Sequence, residues 1–239
     1  MKRVCFILLF FSLYLKCWSQ KQFEKNVYLM LHIGTGMTLN QPAERANNFL
    51  QGNYVFWEKG SIFVEIKNNF GLHLNVQGVG YSHKINENFI TSNNPGFDDL
   101  GVQHYFNNSK FPVLTGISYK YNYKRLIIMP FIDVGFIPFA KSSNKIDVLL
   151  KEQNSNNIRK ITYQFSHKVK RFDYTFGADL CFHFKRWGLS SSFQFDRFKS
   201  ICDVQSLTAD YFSEDKIENF SIDFHYLSLL CSLGLFISF

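Results

Sequence analysis

The chain has 239 residues, 46% of them hydrophobic, with 28 Phe and 12 Tyr, which allows one domain or two small ones and favours strands. Mean hydropathy is −0.11, so the apolar residues are dispersed rather than massed into helical membrane spans. The formal net charge of +7 depends on three N-terminal cations, and without them it falls to +4, too little for a nucleic-acid reader.

Those cations belong to the first expected element. Met1-Lys2-Arg3 is a basic start, Val4 to Leu15 is almost wholly apolar, and Cys17 and Ser19 are small residues at −3 and −1 of a cut before Gln20. This pattern reads as a signal peptide over residues 1–19 preceding one domain over residues 20–239. The apolar stretch is short for the other reading, a membrane anchor. Leu15-Lys16 before Cys17 argues against a lipoprotein site. Cys181, Cys202 and Cys231 remain in the exported chain; their number and spacing fit neither a disulfide framework nor a zinc site, and they read as small hydrophobes.

After Gln20 the hydrophobic period is two. Leu29, Leu31, Ile33, Thr35, Met37 and Leu39 share one face of a first strand over Val27–Asn40. A second strand over about Tyr54–Lys67 leads through Asn68-Asn69 into a third ending near Ile85. A fourth covers Tyr105–Tyr121 and a fifth Arg125–Ala140, where Pro130 predicts a bulge because proline donates no rung. In the sixth, Phe172, Tyr174, Phe176, Ala178, Leu180, Phe182 and Phe184 alternate with Asp173, Thr175, Gly177, Asp179, Cys181 and His183. A seventh follows Lys185-Arg186-Trp187, and the last carries an apolar face from Leu227 to Phe239.

Short connections near Asn68, Asn122 and Arg186 alternate with long ones over about 40–53, 86–104, 141–170 and 200–219, with helical fragments expected at Pro42–Leu50 and Ile146–Glu152. Short turns at one end and long loops at the other are a membrane-barrel pattern. The fold expected is an all-β, antiparallel up-and-down transmembrane barrel of about eight strands with four long extracellular loops. An even strand count puts both termini on the short-turn side, the periplasm.

Alternation alone also fits a soluble barrel, which turns its apolar face inward. The long uncharged faces, the sparse small polar residues opposite them, and the end on Phe239 favour the inverted arrangement. Leu233-Gly234-Leu235-Phe236-Ile237-Ser238-Phe239 looks like a C-terminal targeting strand, with Leu235, Ile237 and Phe239 presented to the barrel-assembly machinery. Lys67-Asn68-Asn69-Phe70-Gly71-Leu72, Gly80-Tyr81-Ser82-His83-Lys84, Phe111-Pro112-Val113-Leu114 and Met129-Pro130-Phe131-Ile132-Asp133-Val134-Gly135 resemble the PorT-like outer-membrane barrel family, a group of small OmpA/OmpX-type barrels from Gram-negative envelopes. That resemblance implies fold and membrane and brings no catalytic set.

Glu65, His73, Asp133, Asp179, His183 and Asp196 face the lumen in this reading. They form either a proton path or ion site, or a buried polar plug paired through Lys67, Lys120 or each other; the small bore of eight strands favours the plug. Residues 141–170 carry seven cations against Asp147 and Glu152, whereas 200–219 carry five acids against Lys216. The basic segment could meet lipopolysaccharide phosphates, or the two loops could attract one another. His225 and Ser228, Ser82-His83 and Ser166-His167 each fall on opposite faces, and no nucleophile elbow, zinc-binding helix or phosphate loop occurs. Tyr54, Trp57, Tyr105, Tyr121, Tyr123 and Trp187 suit interfacial girdles.

No catalytic residue, cofactor or metal ligand is expected. The expected partners are outer-membrane lipid and lipopolysaccharide, the barrel-assembly machinery and envelope proteins met through the loops, in a structural or interaction role, with a secretion assembly as one setting. A transport or ligand-binding barrel stands as the alternative, followed by a lipid-modifying enzyme. A wide wet lumen would favour transport, and a Ser–His pair meeting at the outer rim would favour catalysis.

Overall fold

The computed structural model of the chain describes residues 27–39, 50–100, 105–143, 145–210 and 213–239. The expected signal peptide and the expected helix at Pro42–Leu50 lie outside them, except Leu50, which begins a strand. Twelve strands are formed: β1 (Val27–Thr38), β2 (Leu50–Lys67), β3 (Phe70–Ile85), β4 (Phe97–Asp99), β5 (Tyr105–Tyr119), β6 (Tyr121–Tyr123), β7 (Leu126–Ser142), β8 (Lys145–Glu152), β9 (Ile158–Val169), β10 (Phe172–His183), β11 (Trp187–Asp210) and β12 (Ser213–Ser238). One short helix, α1 (Glu87–Ser92), precedes β4, capped by the Asn86 side chain accepting from Asn88 N.

All pairings are antiparallel. β1, β2, β3, β5, β7, β10, β11 and β12 pair in sequence, and β12 returns to β1 from Tyr28↔Ser238 to Thr38↔Ser228. Among the described residues the strand count is therefore twelve rather than about eight. The surplus comes from β6, which continues β5 along β7, and from β9, β8 and β4, which extend the sheet above the ring.

Tight turns close one end. Asn68 and Asn69 both have positive φ, 51° and 68°, as a two-residue hairpin demands, and Lys124 (55°) serves the next turn. At the other end two expected loops are sheet instead. β11 and β12 run paired through Thr208↔Lys216, so most of 200–219 is ladder. Ile146–Glu152 lies in strand β8 rather than a helix, because Val148 and Leu150 bury one face at period two beside β9.

Proline acts differently from the expectation. No register shift occurs at Pro130. The β5 ladder stops at Ser118↔Phe131 and the same register resumes at Tyr121↔Ile128, so Pro130 faces a missing rung. The shift between those strands lies between Phe111 and Val113, at Pro112.

The apolar faces point outward. Leu31, Ile33, Phe56, Leu72, Ile117, Ile132, Phe176, Leu189, Leu233 and Leu235 are exposed around the wall, while their strand neighbours of opposite parity are buried inside. A band of this kind has no solvent but lipid, and a closed antiparallel ring satisfies the backbone within it. No helix among the described residues is long and apolar enough to cross a membrane.

Candidate functional site

The lumen is filled in layers. At the short-turn end Tyr28, Met30, Phe63, Ile127, Met129, Cys181 and Phe236 pack as one apolar cluster. At the opposite end an aromatic stack stands above the centre: Tyr81 lies 4.8 Å from Tyr226 and 5.6 Å from Phe198, and Phe106 lies 5.7 Å from Phe224. That stack belongs to a larger cluster extending under β8 and β9 through Val148, Leu150, Ile161 and Phe165.

Between the layers lies a buried ionic network. Lys59 Nζ, on β2, donates to Asp179 Oδ1 at 2.7 Å and to Ser192 Oγ at 3.0 Å. Ser192 also bonds Asp179. His73 Nδ1 is 2.8 Å from Asp133 Oδ2, and its Nε2 is 3.7 Å from Asp179 Oδ2. Lys110 Nζ bridges Asp173 Oδ2 at 2.7 Å and Asp196 Oδ1 at 2.9 Å, and Tyr81 donates to Asp196 Oδ2 at 2.9 Å. Gln77 and Gln194 exchange amide bonds of 3.0 and 2.8 Å, and Trp57 Nε1 donates to Gln77 Oε1. Charges this deep persist because each is hydrogen-bonded.

Of the residues singled out from the sequence, His73, Asp133, Asp179 and Asp196 meet in this network. Glu65 sits at the short-turn end, paired with Lys120 and accepting from Asn69 N. His183 is apart, half-buried at the same end, edge-on to Phe236 at 4.9 Å. Lys67 is exposed and joins nothing in the lumen. The counter-ions Lys59 and Lys110 and the acid Asp173 were missed, although their inward parity beside Trp57, Asn108 and Asp179 was readable. Leu235, Ile237 and Phe239 all lie exposed on the outer wall.

The basic and acidic segments do touch. β9 pairs with β11 from Ser200↔Val169 to Ala209↔Lys160, and Lys168 Nζ is 3.0 Å from Asp203 Oδ2. Asp147 is held by Lys160 at 3.0 Å and by Thr162 Oγ1 at 2.7 Å; these bonds, the hydroxyl first, pull its carboxyl down to about 2.

A Ser–His contact appears that adjacency in sequence does not give. His167 Nε2 lies 2.7 Å from Ser200 Oγ and 3.2 Å from Asn108 Nδ2. Burial pushes this imidazole down to about 4, so it is neutral at pH 7. Both partners share Nε2, so Asn108 does not orient the ring from behind as a triad's third member does. Ser200 is buried inside the wall, and the contact works as a clip between strands.

A closed antiparallel wall, apolar outside and filled with paired charge inside, defines a transmembrane β-barrel. No family model and no curated protein matches the chain. Among solved structures, the outer membrane protein OprG from Pseudomonas aeruginosa has the same fold at a TM-score of 0.51, with 6% identity over 89% of this chain and 95% of that one. A major outer membrane protein from Thermus thermophilus aligns at 0.44 with 10% identity, covering 91% and 100%, and Ail from Yersinia pestis at 0.32 with 12%, covering 89% and 99%. At such identities the likeness to OprG speaks for fold alone.

Proposed function

We propose that the chain is an exported outer-membrane barrel with a structural or interaction role, which presents its outer sheet to envelope partners. The observation that supports this reading is the continuation of β11 and β12 beyond the apolar band, joined there by β9, β8 and β4, above a lumen filled by side chains. Such a lumen gives transport no path, and the outer sheet offers a surface instead. Its outward side holds a shallow concavity of about 600 Å³ bordered by Gln164, Ser166, Asp203, Gln205, Asn219 and Ser221. The tight turns and both termini lie toward the periplasm, and Leu235, Ile237 and Phe239 serve recognition by the assembly machinery. The PorT-like resemblance adds a place in an envelope or secretion assembly.

The test combines conductance with surface cross-linking. Reconstituted protein is expected to leave planar bilayers electrically silent. A photo-cross-linker at Gln205 on intact cells is expected to capture an envelope protein that one at Phe176, in the lipid band, does not. Steady ion conductance would instead favour a transporter.

A further inference from the structure

The wall of the barrel parts between β7 and β9. β7 pairs with β10 up to Phe136↔Phe172, with a last bond from Ile137 N to Arg171 O. Beyond it Pro138 enters β7. Proline brings no donor to a ladder and is confined to edges. From there β7 pairs only with β5, while β9 pairs with β11 and β8, and β7 and β9 do not pair at all. The two strands share no rung over residues 138–142 and 165–170.

The parting stands at the outer border of the lipid band. Phe136 and Phe172 below it, and Phe139 within it, are exposed on the outside. Beside it Lys141, Lys170 and Arg171 are exposed cations. The nearby acids are engaged elsewhere: Asp173 turns inward to Lys110, and Asp203 takes Lys168 and Ser221. Across the inner side, Asn108 Nδ2 reaches His167 Nε2. The Asn108 side-chain oxygen lies there buried without a hydrogen-bond partner, in a residue only 2% exposed. A buried amide oxygen in that condition costs stability until a donor reaches it.

We infer that the parting between β7 and β9 is a binding site for a phosphorylated glycolipid of the outer leaflet. This rests on the outer-membrane reading above and deepens its lipid contact into a site. The three cations face the phosphates, and a hydroxyl or amide N–H of the headgroup reaches the Asn108 oxygen. The acyl chains run down over Phe139, Phe136 and Phe172. A neutral lipid would satisfy the aromatic wall and leave the cations idle; a free phosphate would do the reverse. The three features together select one molecule with phosphate, donor groups and acyl chains.

The test uses the full barrel in nanodiscs, with diphosphoryl lipid A as probe and native mass spectrometry as readout. Dephosphorylated lipid A and phosphatidylglycerol are the comparisons. Lys141→Gln/Lys170→Gln/Arg171→Gln is expected to weaken lipid A binding at least about tenfold, since each charge-assisted contact contributes appreciably. Lys124→Gln/Arg125→Gln/Lys185→Gln, which removes the same charge at the tight turns, is expected to leave it unchanged. Removing the phosphates is expected to match the first triple variant. Equal loss in both variants, or phosphatidylglycerol binding as tightly as lipid A, would overturn the site in favour of general anion attraction. A barrel that inserts but binds no lipid A sinks the site alone; one that does not insert sinks the membrane reading with it.

Discussion

Lys59 Nζ lies 2.7 Å from Asp179 Oδ1 across the lumen, with both side chains removed from solvent. The ammonium also sits 4.3 Å from the centroid of the Phe131 ring. The pair joins β2 to β10, on opposite walls of the ring, so it acts as a strut. Removing one partner leaves a desolvated charge, whereas removing both leaves no charge of the pair behind, only the Ser192 hydroxyl and the His73 ring that faced it. Lys59→Met is therefore expected to cost about 3–5 kcal/mol, and Lys59→Met/Asp179→Leu much less. Urea titration of the folded barrel in detergent checks both, and equal losses would contradict the strut.

The inward glycines are expected to differ sharply from those on the outer wall. A methyl on Gly116 would collide with the Ile132 carbonyl oxygen and the Asp133 side chain, whereas one on Gly80 meets nothing within 4 Å. Gly116→Ala is expected to destabilise by about 1–3 kcal/mol or to block assembly, and Gly80→Ala to be silent. The ratio of folded to unfolded band on unboiled gels reads the difference.

The period-two faces, the tight Asn68-Asn69 turn and the outward apolar band were legible in the sequence because each is local. Register was not. The missing rung at Pro130 and the shift at Pro112 depend on which partner strand lies opposite. The counter-ions Lys59 and Lys110 were readable as inward residues, but pairing Lys110 with Asp196 needs closure of the ring. The outer strands escaped for a different reason. Charged residues such as Lys160 and Asp147 gave those segments the look of solvated loops, while every second residue packs onto the aromatic stack.

Acid is expected to loosen the outer sheet in two steps. His167 is neutral in the fold, with its pKa lowered from 6.5 to about 4 by burial, so the unfolded state binds the extra proton between those values. Its contribution is complete above about 6.5 and falls as pH drops toward 4. His167→Gln, which keeps a hydrogen-bonding group there, is expected to flatten that window. Amide exchange across β9 measures it.

Asp147 follows lower and is salt-sensitive. Its pKa is pulled from 3.8 down to about 2, first by the Thr162 hydroxyl and then by Lys160 and Lys145. The stabilisation is present above 3.8 and lost as pH falls toward 2. The carboxylate is exposed, so added salt is expected to weaken its part. A β8–β9 hairpin whose amide exchange is unmoved by salt and by Asp147→Asn would contradict this.

The central claim is that the apolar face meets lipid and the polar face does not. Quenching of tryptophan fluorescence by lipids brominated mid-chain tests it directly. One chain would carry Leu233→Trp, at an exposed wall position, with the native tryptophans replaced by Phe; the other would keep Trp57, buried in the lumen, alone. Strong quenching at position 233 and little at Trp57 is the expected result. A protein that stays soluble, or in which neither position is quenched, would contradict the transmembrane barrel.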